Sequence, residues 1–310
     1  MCIRDRINEF DIAPLSDLAN FERITIFNNE FIGTNKSVFN STARVNPKKF
    51  LKKERKFWRR WQGRVRHQTD QRLLNEGESS LIGSLRTELL DTSLVSFNSS
   101  TDLSVFFDRG STKRDLQLTR RILSNKLQQI TGYEVRSLRE YYLRSRINIV
   151  RSLDFILEAK IGDKLADSEA FAIQRFDIDF WNLTPQLNFG PSQNLRIVGK
   201  YLQEVSTNSI GDLEMALRRT FTSEVTWRQS AQSNLQVSLD LVNITFEGDR
   251  NTPVELELLQ GLRPGTNYLW SLNFTRRISN NFDLILNYNG RKSEDVRTIH
   301  NGGVQLRAIF

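Results

Sequence analysis

Hydrolytic chemistry needs a nucleophile beside a base that a third group orients, and this chain offers only two imidazole bases, His67 and His300. His67 lies at the edge of a basic run and His300 near the end of the chain, and neither is near a G-x-S-x-G signature. Catalysis is not expected, and His300 reads as a rim residue. Two histidines are too few for a buried metal centre, and the one cysteine, Cys2, is alone. Asp108, Asp177 and Asp179 are too scattered for a calcium loop, and no glycine-rich phosphate cradle occurs. No cofactor or metal is therefore expected.

The densest chemistry is cationic. The formal net charge is +8, yet Lys48 to Arg66 alone holds ten Lys/Arg and one Glu, so the rest of the chain is nearly neutral. Within it Lys52, Lys53, Arg55, Lys56, Arg59 and Arg60 interleave with Trp58 and Trp61. Three readings fit: a solvated loop between strands, an interfacial helix on anionic headgroups, or an arm that stacks on nucleic acid. Contact with anionic headgroups is the expectation, with no sequence-specific partner and no nucleic acid.

The elements that must position these groups read as strands. No apolar run approaches the ~20 residues of a membrane-spanning helix, and mean hydropathy is −0.45 with 38% hydrophobic residues. A β-barrel remains open, because only alternate residues of its strands face lipid. Phe282, Leu284, Leu286, Tyr288 and Gly290 alternate with Asp283, Asn287, Asn289 and Arg291; Tyr268, Trp270, Leu272 and Phe274 alternate with Ser271, Asn273 and Thr275. The same pattern runs through Leu235–Leu241, Leu213–Gln229, Leu195–Tyr201, Trp181–Phe189 and Leu153–Ala159. Further strands are expected around 133–147, 115–126 and 96–108. Short links at 190–194, 230–234 and 279–281 alternate with longer ones at 160–170, 205–212, 247–266 and 291–298, as periplasmic turns alternate with outer loops in barrels. Toward the long-loop ends stand Trp181, Tyr201, Tyr268, Trp270 and Tyr288, and toward the short-turn ends Trp227, Phe282 and Phe310, two aromatic belts at two interfaces. The polar faces mix signs, with Arg196, Lys200, Glu204, Arg218, Glu224, Asp240, Asp283, Arg291 and Arg307. Mixed charge disfavours a strongly ion-selective pore and suits a lumen crossed by ion pairs or filled by a plug.

The last strand places Gly302, Val304, Leu306, Ala308 and Phe310 on one face, and it resembles the C-terminal assembly signal of outer-membrane barrels. The segments from Gly261 (GLRPGTNYLWSLNFTRR), Leu286 (LNYNGRKSE), Ile299 (IHNGGVQLRAIF) and Phe176 (FDIDFWNLTPQLNF) resemble the C-terminal region of large, uncharacterised outer-membrane proteins of Bacteroidota. The likeness covers roughly 96–310 and implies a barrel and an outer-membrane address, with no activity to carry over. Met1–Arg6 resembles a translated sequencing adapter, and the rest is expected to be the tail of a longer protein.

The expected organisation is thus an adapter-like 1–6, an N-terminal part at 7–95 with weak strands and a basic loop or helix at 46–66, and barrel strands at 96–310. The expected fold is an all-β, antiparallel, up-and-down transmembrane β-barrel of at least ten strands (an estimate from the pattern). The expected function is non-catalytic and porin-like, in transport, secretion or envelope organisation. The barrel end of a TonB-dependent transporter and a soluble basic all-β binding protein are the alternatives. Expected partners are outer-membrane lipid and lipopolysaccharide, the barrel-assembly machinery, and a plug or periplasmic protein.

Overall fold

The computed structural model describes residues 6–9, 20–31, 34–46, 60–74, 94–129, 132–211, 213–229, 232–279, 281–294 and 296–308. Fifteen strands follow one another in chain order within a single sheet. The first six are β1 (Arg6–Glu9), β2 (Asn20–Phe31), β3 (Thr34–Val45), β4 (Trp61–Leu74), β5 (Leu94–Phe107) and β6 (Arg114–Gln129). The next four are β7 (Gly132–Val150), β8 (Leu153–Ser168), β9 (Phe176–Phe189) and β10 (Leu195–Asn208). β11 (Met215–Gln229), β12 (Ser233–Glu247), β13 (Gly265–Ser279), β14 (Phe282–Ser293) and β15 (Ile299–Ala308) complete the set; among the described residues an α-helix, α1 (Pro253–Leu259), lies between β12 and β13, and a 3-10 turn (Ala172–Gln174) precedes β9. This is the all-β, antiparallel, up-and-down architecture of transmembrane β-barrels. No helix among the described residues is long and apolar enough to cross a membrane.

The chain divides into two compact units. The first comprises Met1–Ser111, Asp115–Leu143 and Ile161–Asp179, and the second Thr112–Arg114, Arg144–Lys160 and Phe180–Phe310. In the first, β1 to β6 pair antiparallel with their chain neighbours, with irregularities at Phe21/Arg23 and Arg72/Leu73. In the second, β10 to β15 do the same, with a shift between Arg277 and Ser279.

Three expectations are corrected. Residues 61–66 of the basic segment are neither loop nor helix but the start of β4, because their backbone is paired to β5 throughout and to β3 from Gly63 on. Residues 160–168 are strand rather than loop. The charges at Lys160, Asp163, Lys164 and Asp167 hide an alternation that Ile161 and Leu165 continue, and Asp163 and Asp167 find partners in Arg139 and Arg175 at 2.8 and 2.9 Å. Gly162 is required there, since a Cβ would stand 2.1 Å from the carbonyl oxygen of Arg139.

The link 247–266 is not all loop, as it contains α1. Thr252 caps that helix by accepting from the Glu255 amide at 3.0 Å, Pro253 opens it, and the Glu255 carboxylate accepts from the Asn251 amide.

Candidate functional site

The second unit presents two faces of opposite character. One carries Leu153, Phe155, Leu157 and Ala159 on β8, then Phe189, Leu187, Pro185, Leu183 and Trp181 on β9. It continues through Leu235–Leu241 on β12 and through Phe282, Leu284, Leu286 and Tyr288 on β14, and many of these side chains are exposed. Polar residues bound this apolar stripe at one margin: Gln203 after Tyr201, Asn243 after Leu241, Thr266 after Tyr268 and Lys292 after Gly290. The strands run on past that margin. Tyr201 accordingly stands mid-strand in β10, at the margin of the stripe and not at the strand end that the spacing predicts.

At the same margin Trp270, Tyr288 and His300 form one cluster. The Tyr288 and His300 rings stack at 6.0 Å with an interplanar angle of 12°, Tyr288 Oη lies 2.7 Å from His300 Nδ1, and Trp270 lies 5.8 Å from His300. The Trp270 ring occupies the space over Gly290, where a Cβ would fall 2.2 Å from the ring. A large ring laid on a bare backbone needs that glycine.

The opposite face is polar. Arg218 and Glu204, each 13% exposed, pair at 3.1 Å, and Asn182 donates to Glu204 at 3.4 Å. Glu224 accepts from Gln236 at 3.2 Å and from Thr226 at 3.4 Å, and Arg277 pairs with Asp283 at 3.3 Å. At its far end this face turns apolar, with Ala216, Val242 and Ile244 buried. α1 packs against β11 there, buries Val254, Leu258 and Leu259, and is followed by Gln260, whose side chain accepts from Arg218.

Next to this region the face holds a cavity of about 360 Å³. The register sets out its walls as two rows across β12, β13, β14 and β15. One row is Ser238, Ser271, Asn289 and Asn301, and the next is Asp240, Leu269, Arg291 and Ile299. Sequence alternation placed Asp240 and Arg291 on this face but gave no sign that they share a cavity.

The residues singled out by sequence are distributed as follows. Gly302, Val304, Leu306 and Ala308 share the apolar face of β15, opposite Gln305 and Arg307, while Phe310 lies outside the described residues. Trp181, Tyr201, Trp227, Tyr268, Trp270, Phe282 and Tyr288 all stand on the apolar face. Lys52, Lys53, Arg55, Lys56, Trp58 and Arg59 lie outside the described residues. Arg60 is ion-paired to Asp108 and stacks its guanidinium 4.7 Å over Phe107, and Trp61 packs on the same ring at 5.0 Å. His67 has both ring nitrogens engaged by hydroxyls, Nδ1 with Thr101 and Nε2 with Thr69, each at 2.8 Å. With neither nitrogen facing a carboxylate, this imidazole lacks the orienting partner a general base uses.

No family model matches the chain, and no curated protein matches it. Among solved structures it is similar to the outer membrane channel DcaP of Acinetobacter baumannii, at 10% identity and a TM-score of 0.46, over 92% of this chain and 83% of that one. It is also similar to CdiB from Acinetobacter baumannii, at 10% identity and a TM-score of 0.42, over 95% of this chain. It spans about half of that protein, 54% of its length.

Proposed function

We propose that this chain is part of a bacterial outer-membrane β-barrel that carries small polar solutes through a polar lumen without catalysis. The observation that supports it best is the apolar stripe of even height on one face of the second unit, opposite a hydrogen-bonded polar face. Five alternate positions, such as Trp181 to Phe189 on β9, span about 26 Å of strand at ~3.3 Å per residue. At a tilt of about 40° that is roughly 20 Å before side chains are added, close to the ~25 Å apolar band of an outer-membrane barrel. The aromatic residues at the stripe's margin suit the headgroup level. In this reading lipid and lipopolysaccharide contact the apolar face, the barrel-assembly machinery inserts it, and the basic run 48–59 meets anionic headgroups.

Fractionation tests the proposal. The protein is expected to stay in outer membranes after carbonate washing and to change mobility on gels when heated. Extraction by carbonate together with heat-insensitive migration would overturn it.

A further inference from the structure

The cavity in the second unit points to a ligand class. Its two rows differ in chemistry, and the difference has a geometry. Asp240 and Arg291 lie in one row with β13 between them, so their backbones are about 10 Å apart at ~4.8 Å per strand. Leu269 separates the two charges and Ile299 lies beyond Arg291, which gives that row an apolar floor. The neighbouring row, Ser238, Ser271, Asn289 and Asn301, is uncharged and offers both donors and acceptors. Two other charges share this face nearby. Lys200 lies two strands from Asp240 on the far side, through Thr222, and Glu224, opposite Ser238, is engaged by Gln236 and Thr226.

We infer that this cavity is a subsite for short peptides with free termini, of two to four residues. The inference rests on the transport reading above. An extended tripeptide spans about 10 Å at ~3.3–3.6 Å per residue, which matches the separation of the two backbones that carry the charges. Its ammonium meets the Asp240 carboxylate, and its carboxylate takes the forked guanidinium of Arg291. Its amide groups lie along the serine and asparagine row, and a small side chain rests on Leu269. A volume of about 360 Å³ falls at the lower end of the ~300–1,000 Å³ typical of small-molecule pockets, which excludes long or bulky peptides. A simple sugar would use the uncharged row and leave both charges unanswered.

The test is calorimetric titration of the full chain, folded in detergent and checked for its heat-dependent gel shift. The probes are trialanine, its N-acetylated and C-amidated form, and maltotriose. Free trialanine is expected to bind at least tenfold more tightly than the capped form. Asp240→Asn and Arg291→Gln should each weaken it tenfold or more, and the double variant should no longer distinguish free from capped peptide. Equal affinity for both forms, unchanged binding by the variants, or preference for maltotriose would overturn the inference. Undetectable peptide binding by protein that does show the gel shift overturns the subsite alone, whereas protein that shows no gel shift overturns the transport reading with it.

Discussion

The first unit holds its polar face together with crossing charges, whereas the second relies more on uncharged amides and hydroxyls. In the first, Arg121 reaches Asp102 on β5 at 2.9 Å and Glu140 on β7 at 3.1 Å, and both Arg64 and Arg109 stack on Phe106. Its apolar face carries charge as well: Arg120 lies over Tyr141, and Arg139 pairs with Asp163. In the second unit the apolar face is cleaner, and one row of the cavity wall is wholly serine and asparagine. The links differ too. In the second unit 190–194, 230–232 and 280–281 are short and alternate with 209–214, 248–264 and 294–298. Counted along the meander, the tight links 32–33 and 130–131 of the first unit fall where the second has its longer ones. An alternation that holds in one half of a meander is thus a property of that half, and rules drawn from it do not carry upstream.

The sharpest way to break this contrast is to put charge on the second unit's apolar face. Leu284→Arg and Leu286→Arg should each destabilise the folded protein in lipid bilayers by about 2–4 kcal/mol, while Asn287→Arg on the polar face costs far less. Denaturant midpoints in vesicles measure this, and equal costs on both faces would erase the distinction. Next in size, Gly290→Val drives a side chain into the Trp270 ring and should cost about 1–3 kcal/mol, read in the same assay with a change in tryptophan emission.

In the first unit, Arg121→Met leaves the buried Glu140 and the nearly buried Asp102 without their shared cation. The guanidinium is 43% exposed, so solvent screening reduces the loss to about 1–2 kcal/mol, and the loss should shrink as salt rises. A salt-independent loss would mean that packing, not charge, holds that face. The smallest effect is local. Thr252→Ala removes the cap of α1 at a cost of about 1 kcal/mol, expected as faster hydrogen exchange over Pro253–Leu259 with β11 and β12 unchanged.

Much of the second unit was legible because its strands alternate with few exceptions, such as Ser223 on β11 and Ile285 on β14. The faces of β9 and of β11 to β15 follow from period two alone. β8 was cut short by charges that the fold pairs, and only partners outside the strand, Arg139 on β7 and Arg175 before β9, reveal that. α1 was hidden inside a polar link, although Thr252, Pro253 and Glu255 carry the T-P-x-E pattern of a capped helix start. The cavity was half legible: alternation assigns Asp240 and Arg291 to one face, but their shared row depends on register. A single residue gained or lost in a turn would change that register.

Every strand in the sheet is hydrogen-bonded to its neighbours in the chain, so contacts are local in sequence, and β15 pairs with β14 along its whole length. Such a connectivity has low contact order and little loop-closure entropy to overcome at each addition. Pulled mechanically from its C-terminal end, the chain should therefore come apart one hairpin at a time. Release of β13 and β14 should appear as a single lengthening of about 100 Å at ~3.5 Å per residue, so the force trace would report the order of the strands directly.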